Sequence, residues 1–411
     1  MAQYSTAIVG AGLGGLAAAA LLSKMNKRVV LLDPASAAGG ALSVREREGF
    51  RFSIGPVLAF GFDRNGALGR LASSLGIAHS ASVLSPCYQV ALPDRRISIF
   101  IDSQETLEEL RREFPREIDG IVRFYRDLRR TSERMARSRL FSAYYQGRSA
   151  DGYLGSYGFS PEFSVFLDIQ ARRFFSLPVR ALSVASLISL LDSAPLALHG
   201  GLTAFAGQML DVFLRNGGEA RYRTPWPRIA SVQKRSVVLQ VQDGTVDAEA
   251  VLFNTRQTPE GSDLFLGVRE ELLPVGMSRE VLCLPDYSNP DRYFTLSVSG
   301  PSDETSAPKG MRALVGSFPA ISPGAGTKER CLDHISSLIP FLREQMLFAD
   351  ERPLQNREYV FSRETAFRPF RSQGKPLLLQ KAGGSLYLLP DAGGAPADTA
   401  RAATAFAARV E

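Results

Sequence analysis

Gly10, Gly12 and Gly15 stand in the spacing G-x-G-x-x-G, and Asp33 follows eighteen residues after the last of them. Those residue types at those distances can cradle the phosphates and ribose of a dinucleotide. Gly10 permits a tight turn, Gly12 lets a pyrophosphate approach the backbone, and Gly15 with Ala19 lets a following helix lie close to a sheet. That helix, opening with Leu13 and Gly14, aims its free N–H groups and the positive end of its dipole at the phosphates. Asp33, with Pro34 behind it, ends the apolar run Val29 to Leu32, where a carboxylate can accept hydrogen bonds from ribose hydroxyls.

The elements that must position these groups are legible around them. AIVG reads as a strand, GLGGLAAAALLSK as a glycine turn and an Ala-rich helix, and VVLLD as a second strand. A signal peptide is the competing reading of Leu16 to Leu22, but it needs a basic flank, and no Lys or Arg precedes Lys24. Gly39, Gly40 and Ala41 come next. A strand, a turn at Glu48-Gly49, a second strand over Phe50 to Phe52 and a tight turn at Gly55-Pro56 follow. A plain NAD-binding fold would continue with another strand–helix unit. A glycine pair and a small hairpin point instead to flavin adenine dinucleotide, because the chain must then pass close to the ribityl and isoalloxazine portions.

Two later segments return to the same sheet. Gly200-Gly201 opens a helix that closes at Asn216-Gly217-Gly218, and strands follow to the buried run AEAVLFNTR. Near residue 390, the apolar strand Leu386 to Leu389 runs into Pro390, Asp391, Ala392 and Gly393-Gly394, then a helix from about Pro396 to Val410. That arrangement would set Asp391 against ribityl hydroxyls and aim the helix opening after Ala392 at the flavin's N1–C2=O edge.

Composition bounds the chemistry. A chain of 411 residues suggests two domains, and 45% apolar with 22% charged residues is ordinary for a soluble globular protein. Cys87, Cys283 and Cys331 are odd in number and far apart, which argues for a reducing compartment and against disulfides or zinc. His79, His199 and His334 lack metal-ligand spacing, which argues against a metal enzyme or a Ser-His-Asp hydrolase, and no metal is expected. The net charge is +6, concentrated in an Arg-rich segment, residues 111–140, where Ile118, Ile121, Val122, Tyr125 and Leu128 recur at helical spacing. The segment predicts one or two amphipathic helices, either with a solvated face or resting on anionic lipid. No nucleic-acid motif is present. Residues 181–198 contain Asp192 and Pro195 and predict a buried helix lining an apolar cavity, not a membrane span. The expected location is cytoplasmic, with peripheral contact at the inner face of a membrane as a variant.

The clusters at Gly10–Gly15, Asp33, Gly39-Gly40, GFRFSIGP, Gly200-Gly201 and Asp391 resemble the flavin-dependent amine oxidase and phytoene desaturase superfamily, most of all its phytoene dehydrogenase and carotenoid isomerase-like branch. The resemblance covers the nucleotide-binding parts, about half the chain. It implies an α/β fold: a discontinuous Rossmann-like FAD-binding domain (residues 1–80, 196–258 and 374–411) and a second, α+β substrate domain (residues 81–195 and 259–373). It implies FAD, and a polyene or isoprenoid-like substrate that is desaturated, saturated or isomerised. Phe174, Phe175, Leu187, Leu190, Leu191, Phe294 and Phe361 are candidates to line the pocket. The chain departs from the family pattern at Asp33 (usually Glu), Ala41 (often Arg), Ser53 (usually Asp) and Pro390 (usually Gly), and at Trp226-Pro227. An amine oxidase-like enzyme, with Lys381 positioning a water, and a non-catalytic flavin-fold binding protein stay open as alternatives. No catalytic side chain and no oligomeric state can be read from the motifs.

Overall fold

β1 (Tyr4–Val9) and β2 (Val29–Leu32) are almost wholly buried, as unbroken apolar strands in a covered parallel sheet must be. The computed structural model describes residues 3–42, 44–55, 57–62, 66–175, 177–193, 195–198, 200–233, 236–256, 261–300, 305–321, 323–354, 380–383, 385–391 and 396–410. The fold is mixed α/β with a Rossmann-like core. β2 lies between β1 and strand Glu219–Arg221, and β1 pairs on its other edge with the long strand Gly244–Arg256, all in parallel. The first part of Gly244–Arg256 pairs antiparallel with Ser236–Val241, and its last part pairs in parallel with Leu386–Asp391 (Phe253 opposite Leu388).

Three helices cover one face of this sheet. α1 (Leu13–Lys24) is buried from Leu13 to Ser23, and its small side chains Ala17 to Ala20 let neighbours close on it from several sides. Helix Pro396–Val410 contributes Ala403, Phe406 and Ala407, and helix Gly201–Arg215 contributes Phe205, Met209 and Phe213 to the same core. Both helices begin where glycine and proline placed them in the sequence.

A second sheet has, among the described residues, seven strands in the order Phe348–Leu354, Gly261–Arg269, Met311–Phe318, Phe294–Val298, Glu280–Cys283, Tyr88–Leu92 and Arg95–Ile99. Residues 88–99 therefore join a sheet otherwise built from residues 261–354, through the parallel pair Leu282 and Val90. Helix Thr327–Ser336 packs Cys331, Leu332 and Ile335 onto it. Helices Ile118–Arg137, Pro161–Phe175 and Val184–Leu191 build another core with Tyr88, Val90 and Leu282. The Arg-rich segment is thus helical as expected: Ile121, Phe124, Tyr125 and Leu128 are buried and the arginines are exposed. No helix among the described residues is long and apolar enough to cross a membrane.

The hairpin β3 (Val44–Arg47) and β4 (Phe50–Ser53) ties the two sheets together. Phe50 meets Phe348 edge-on at 5.2 Å, and Phe52 meets Phe265 at 5.4 Å. Arg45 and Arg47 both pair with Asp350 at the hairpin's half-buried rim. Buried rings outweigh rim charges here. Phe52→Ala is expected to cost about 3–5 kcal/mol, and Arg47→Ala clearly less. Urea titration of the two variants reads the difference, and a larger loss for Arg47→Ala would reverse the ranking.

Candidate functional site

The glycine turn is fixed by contacts that exclude any Cβ. Gly10 has φ +106°, and a Cβ on it would lie 2.2 Å from the carbonyl oxygen of Asn254. A Cβ on Gly15 would lie 1.9 Å from the carbonyl oxygen of Gly10. One on Gly14 would meet Leu389 Cδ2 at 2.5 Å and Thr399 Cγ2 at 2.9 Å, so Gly14 makes room for the last strand and helix. Leu13, the first helical residue, is buried. Gly12 caps α1 at φ −74° and ψ −177° with no side chain in the way. The chain after β2 then folds back over this turn. The Gly39 N–H donates to the Ala11 carbonyl at 2.9 Å, and a Cβ on Gly40 would come within 3.2 Å of Gly12 Cα.

Asp33 is 7% exposed at the end of β2. Its Oδ2 accepts the Ala11 N–H at 2.6 Å and its Oδ1 accepts the Ala35 N–H at 2.7 Å. The carboxylate therefore holds the turn and the following loop, and any ribose hydroxyl uses the lone pairs these bonds leave, of about four in a carboxylate. Pro34 follows, half-buried. Ala41 lies in the short helical turn Gly40–Leu42, and Gly55 has φ +140°. Asp391 ends strand Leu386–Asp391 in register with Arg256. The side chains of Ala41, Pro390 and Asp391, together with Pro56, Ala392, Phe361 and His199, lie outside the described residues.

Two residues join this site that the motif did not announce. Asn254 is buried at the C-terminal end of the central strand. Its Oδ1 accepts the Gly15 N–H at 2.9 Å and its Nδ2 donates to the Leu389 carbonyl at 3.2 Å. The only sequence signal was an amide inside the apolar run VLFNTR. Tyr222 follows strand Glu219–Arg221, beside β2, and its hydroxyl is buried with no partner among the described residues. Burial and the Asp33 charge push its phenol above the ordinary range. A buried hydroxyl without a partner is costly, so a polar ligand beside Asp33 would relieve it.

A cavity of about 1000 Å³ extends from this loop to the seven-stranded sheet. Leu16 and Gly39 line it on one side, and Phe52, Ser53 and Gly55 on another. Leu198 and Leu202 close a third side, and Ser297, Val298 and Val315 form the far wall. Arg51 and Arg279 are the ionisable residues among its described lining, and Phe52 is the aromatic one. Behind the wall, Glu280 is fully buried. Its Oε1 takes the Arg173 guanidinium and its Oε2 accepts the Ser297 hydroxyl.

The expected pocket residues are corrected here. Phe174, Leu187 and Leu190 are buried within the helical core, where Phe174 meets Tyr88 at 5.1 Å. Phe175 and Leu191 pack on that core, and Phe294 stacks on Phe318 at 4.9 Å. None of these lines the cavity. Residues 181–198 reach it through strand Leu196–Leu198, not through the helix expected there. Tyr153 and Tyr157 belong to an aromatic cluster with Phe124. Lys381 is exposed, with its ammonium 5.8 Å from the Tyr387 ring centre.

Residues 8–75 match the family described as an NAD(P)-binding Rossmann-like domain. The chain is similar to the chloroplastic prolycopene isomerase of Arabidopsis thaliana, 23% identical over 374 residues, covering 76% of this chain and 62% of that protein. It is also similar to the neurosporene-forming phytoene desaturase of Rhodobacter capsulatus, 26% identical over 273 residues, covering 60% of this chain and 51% of that protein. The chain thus spans less than two thirds of the length of these relatives. Among solved structures it resembles cyclohexylamine oxidase from Brevibacterium oxydans, with a TM-score of 0.63 and 14% identity, covering 99% of this chain and 98% of that one. At that identity the likeness speaks for the fold.

Asn254→Leu keeps the volume but leaves the Gly15 N–H and the Leu389 carbonyl without partners. It is expected to destabilise the protein by about 1–3 kcal/mol and to speed hydrogen exchange at the start of α1. Unchanged exchange at Gly15 would remove Asn254 from this role.

Proposed function

We infer, from a chain that fits the flavin amine oxidase and phytoene desaturase superfamily, an FAD-dependent oxidoreductase that desaturates, saturates or isomerises an apolar, polyene-like substrate. The observation that carries this reading is the cavity: large, mostly apolar, and reaching the Gly39 loop that folds back on the glycine turn. The residues present suit a dinucleotide. Gly12, Leu13 and Gly14 would offer N–H groups to its pyrophosphate, and Asp33 and Tyr222 would meet its ribose. Bound there, FAD would supply hydride exchange with carbon.

The chain's own residues have the simpler tasks. Leu16, Leu198, Leu202 and Val315 exclude water and hold an apolar substrate against the sheet. Histidine and carboxylate are missing from the described lining, which suits chemistry that needs no protein acid or base. The two arginines disfavour a cationic amine, and Phe52 alone makes no aromatic cage, so the polyene reading is preferred to the amine oxidase one.

Purified protein is expected to be yellow, with flavin absorption bands, and to bleach anaerobically with polyenes and not with amines. Gly12→Val should place a side chain in the pyrophosphate space and lose the bands. A colourless protein that stays so after FAD is added would favour the non-catalytic binding reading, and equal FAD retention by Gly12→Val would refute the placement of the phosphates.

A further inference from the structure

Helix Arg139–Gly147 contains no buried residue, although its sequence is RLFSAYYQG. Leu140 is 83% exposed, Phe141 50% and Tyr144 57%. At 100° per residue these three side chains fall on one face of the helix. Tyr145 borders this face, its ring 5.0 Å from that of Tyr144, and packs on the helical core beneath. The helix thus leans on the core through Tyr145 at one edge of the face, while Leu140 and half or more of Phe141 and Tyr144 stay exposed. Soluble surfaces carry scattered apolar residues without consequence, but a contiguous aromatic and aliphatic ridge on one short helix marks an interaction site.

The charge around the ridge identifies the partner. Arg134 and Arg137 end the preceding helix Ile118–Arg137, Arg139 opens the ridge helix, and Arg148 follows it. All four are exposed. Arg129 and Arg130 on the same helix sit within 4.0 Å of Glu133 and Asp127, but no carboxylate among the described residues comes that close to Arg134, Arg137, Arg139 or Arg148. Arg148 instead donates to the Tyr144 hydroxyl at 3.3 Å, beside the ridge. Cations that rim an apolar ridge match a surface with negative headgroups above a hydrocarbon layer. Arginine can lay its stem along the ridge and keep its charge at headgroup level.

We propose that helix Arg139–Gly147 docks the protein onto an anionic lipid surface, with Leu140, Phe141 and Tyr144 entering the interface and Arg134, Arg137, Arg139 and Arg148 meeting the headgroups. The protein would lie on the membrane without crossing it. This assignment is independent of the cofactor, and it narrows the Arg-rich face expected from sequence to one end of that segment and the helix beyond it.

Co-sedimentation of the full chain with vesicles tests it. Vesicles of phosphatidylcholine with 30 mol% phosphatidylglycerol, about one third anionic, are compared with pure phosphatidylcholine. Binding to the anionic vesicles is expected to be at least about tenfold tighter and to weaken as salt is raised, since arginines near the surface are drawn to the negative headgroups. The triple variant Leu140→Ser, Phe141→Ser, Tyr144→Ser should lose binding at least about tenfold with the fold retained by circular dichroism, because the helix has no buried residue. Arg134→Gln, Arg137→Gln, Arg139→Gln should weaken the salt dependence, leaving only what Arg148 contributes. Equal binding by the triple variant, or none by the parent chain, would overturn the proposal. So would light scattering that shows the ridge joining two copies of the chain without vesicle binding.

Discussion

The rest of the fold depends on how closely the start of α1 approaches the turn that leads into it. The Gly10 carbonyl and the Gly15 Cα are so near that even a methyl group has no room. This contact forces the chain from strand to helix within a few residues and leaves Gly12 bare at the helix start. Asp33 and Asn254 then satisfy, from opposite sides, backbone N–H groups that the tight turn would otherwise strand. Burial without those partners would be costly, so the polar residues are part of the packing and not an addition to it.

From this knot the remaining elements take their places by steric permission. Gly14 admits Leu389 and Thr399, and Gly40 admits the loop above Gly12. The hairpin β3–β4 then spans to the second sheet through Phe50 and Phe52, and the cavity forms between the two sheets. Its far wall is stiffened by the Arg173–Glu280 pair, whose carboxylate also holds Ser297. A buried pair of this kind adds little net stability, but breaking it by removing one partner would leave a buried charge unpaired.

The sequence disclosed the parts whose rules are local. Glycine spacing, alternation and turn residues located β1, α1, β2, the hairpin and helix Pro396–Val410, because turn geometry and helix starts depend on neighbours a few residues away. It did not disclose Asn254, whose partners Gly15 and Leu389 come from distant parts of the chain, or Tyr222, which feels the charge of the distant Asp33. The pocket candidates failed for a related reason. Phe174 and Phe294 are apolar and large whether they face a cavity or each other's neighbours, and composition carries no direction. Small residues such as Gly39, Gly55 and Gly201 line much of the true cavity, and their lack of bulk is what leaves it open.

The central strand Gly244–Arg256 receives β1 on one edge and Leu386–Asp391 on the other. During synthesis, β1 can pair early with β2, but its other edge must wait for residues 248–253 to leave the ribosome, and the sheet gains strand Leu386–Asp391 only after residues 261–354 of the second sheet have been made. Until then the nascent chain displays an open apolar edge, which chaperones would recognise. Separate expression of the first sheet's opening segment would release a polypeptide that lacks the strands it was shaped to meet.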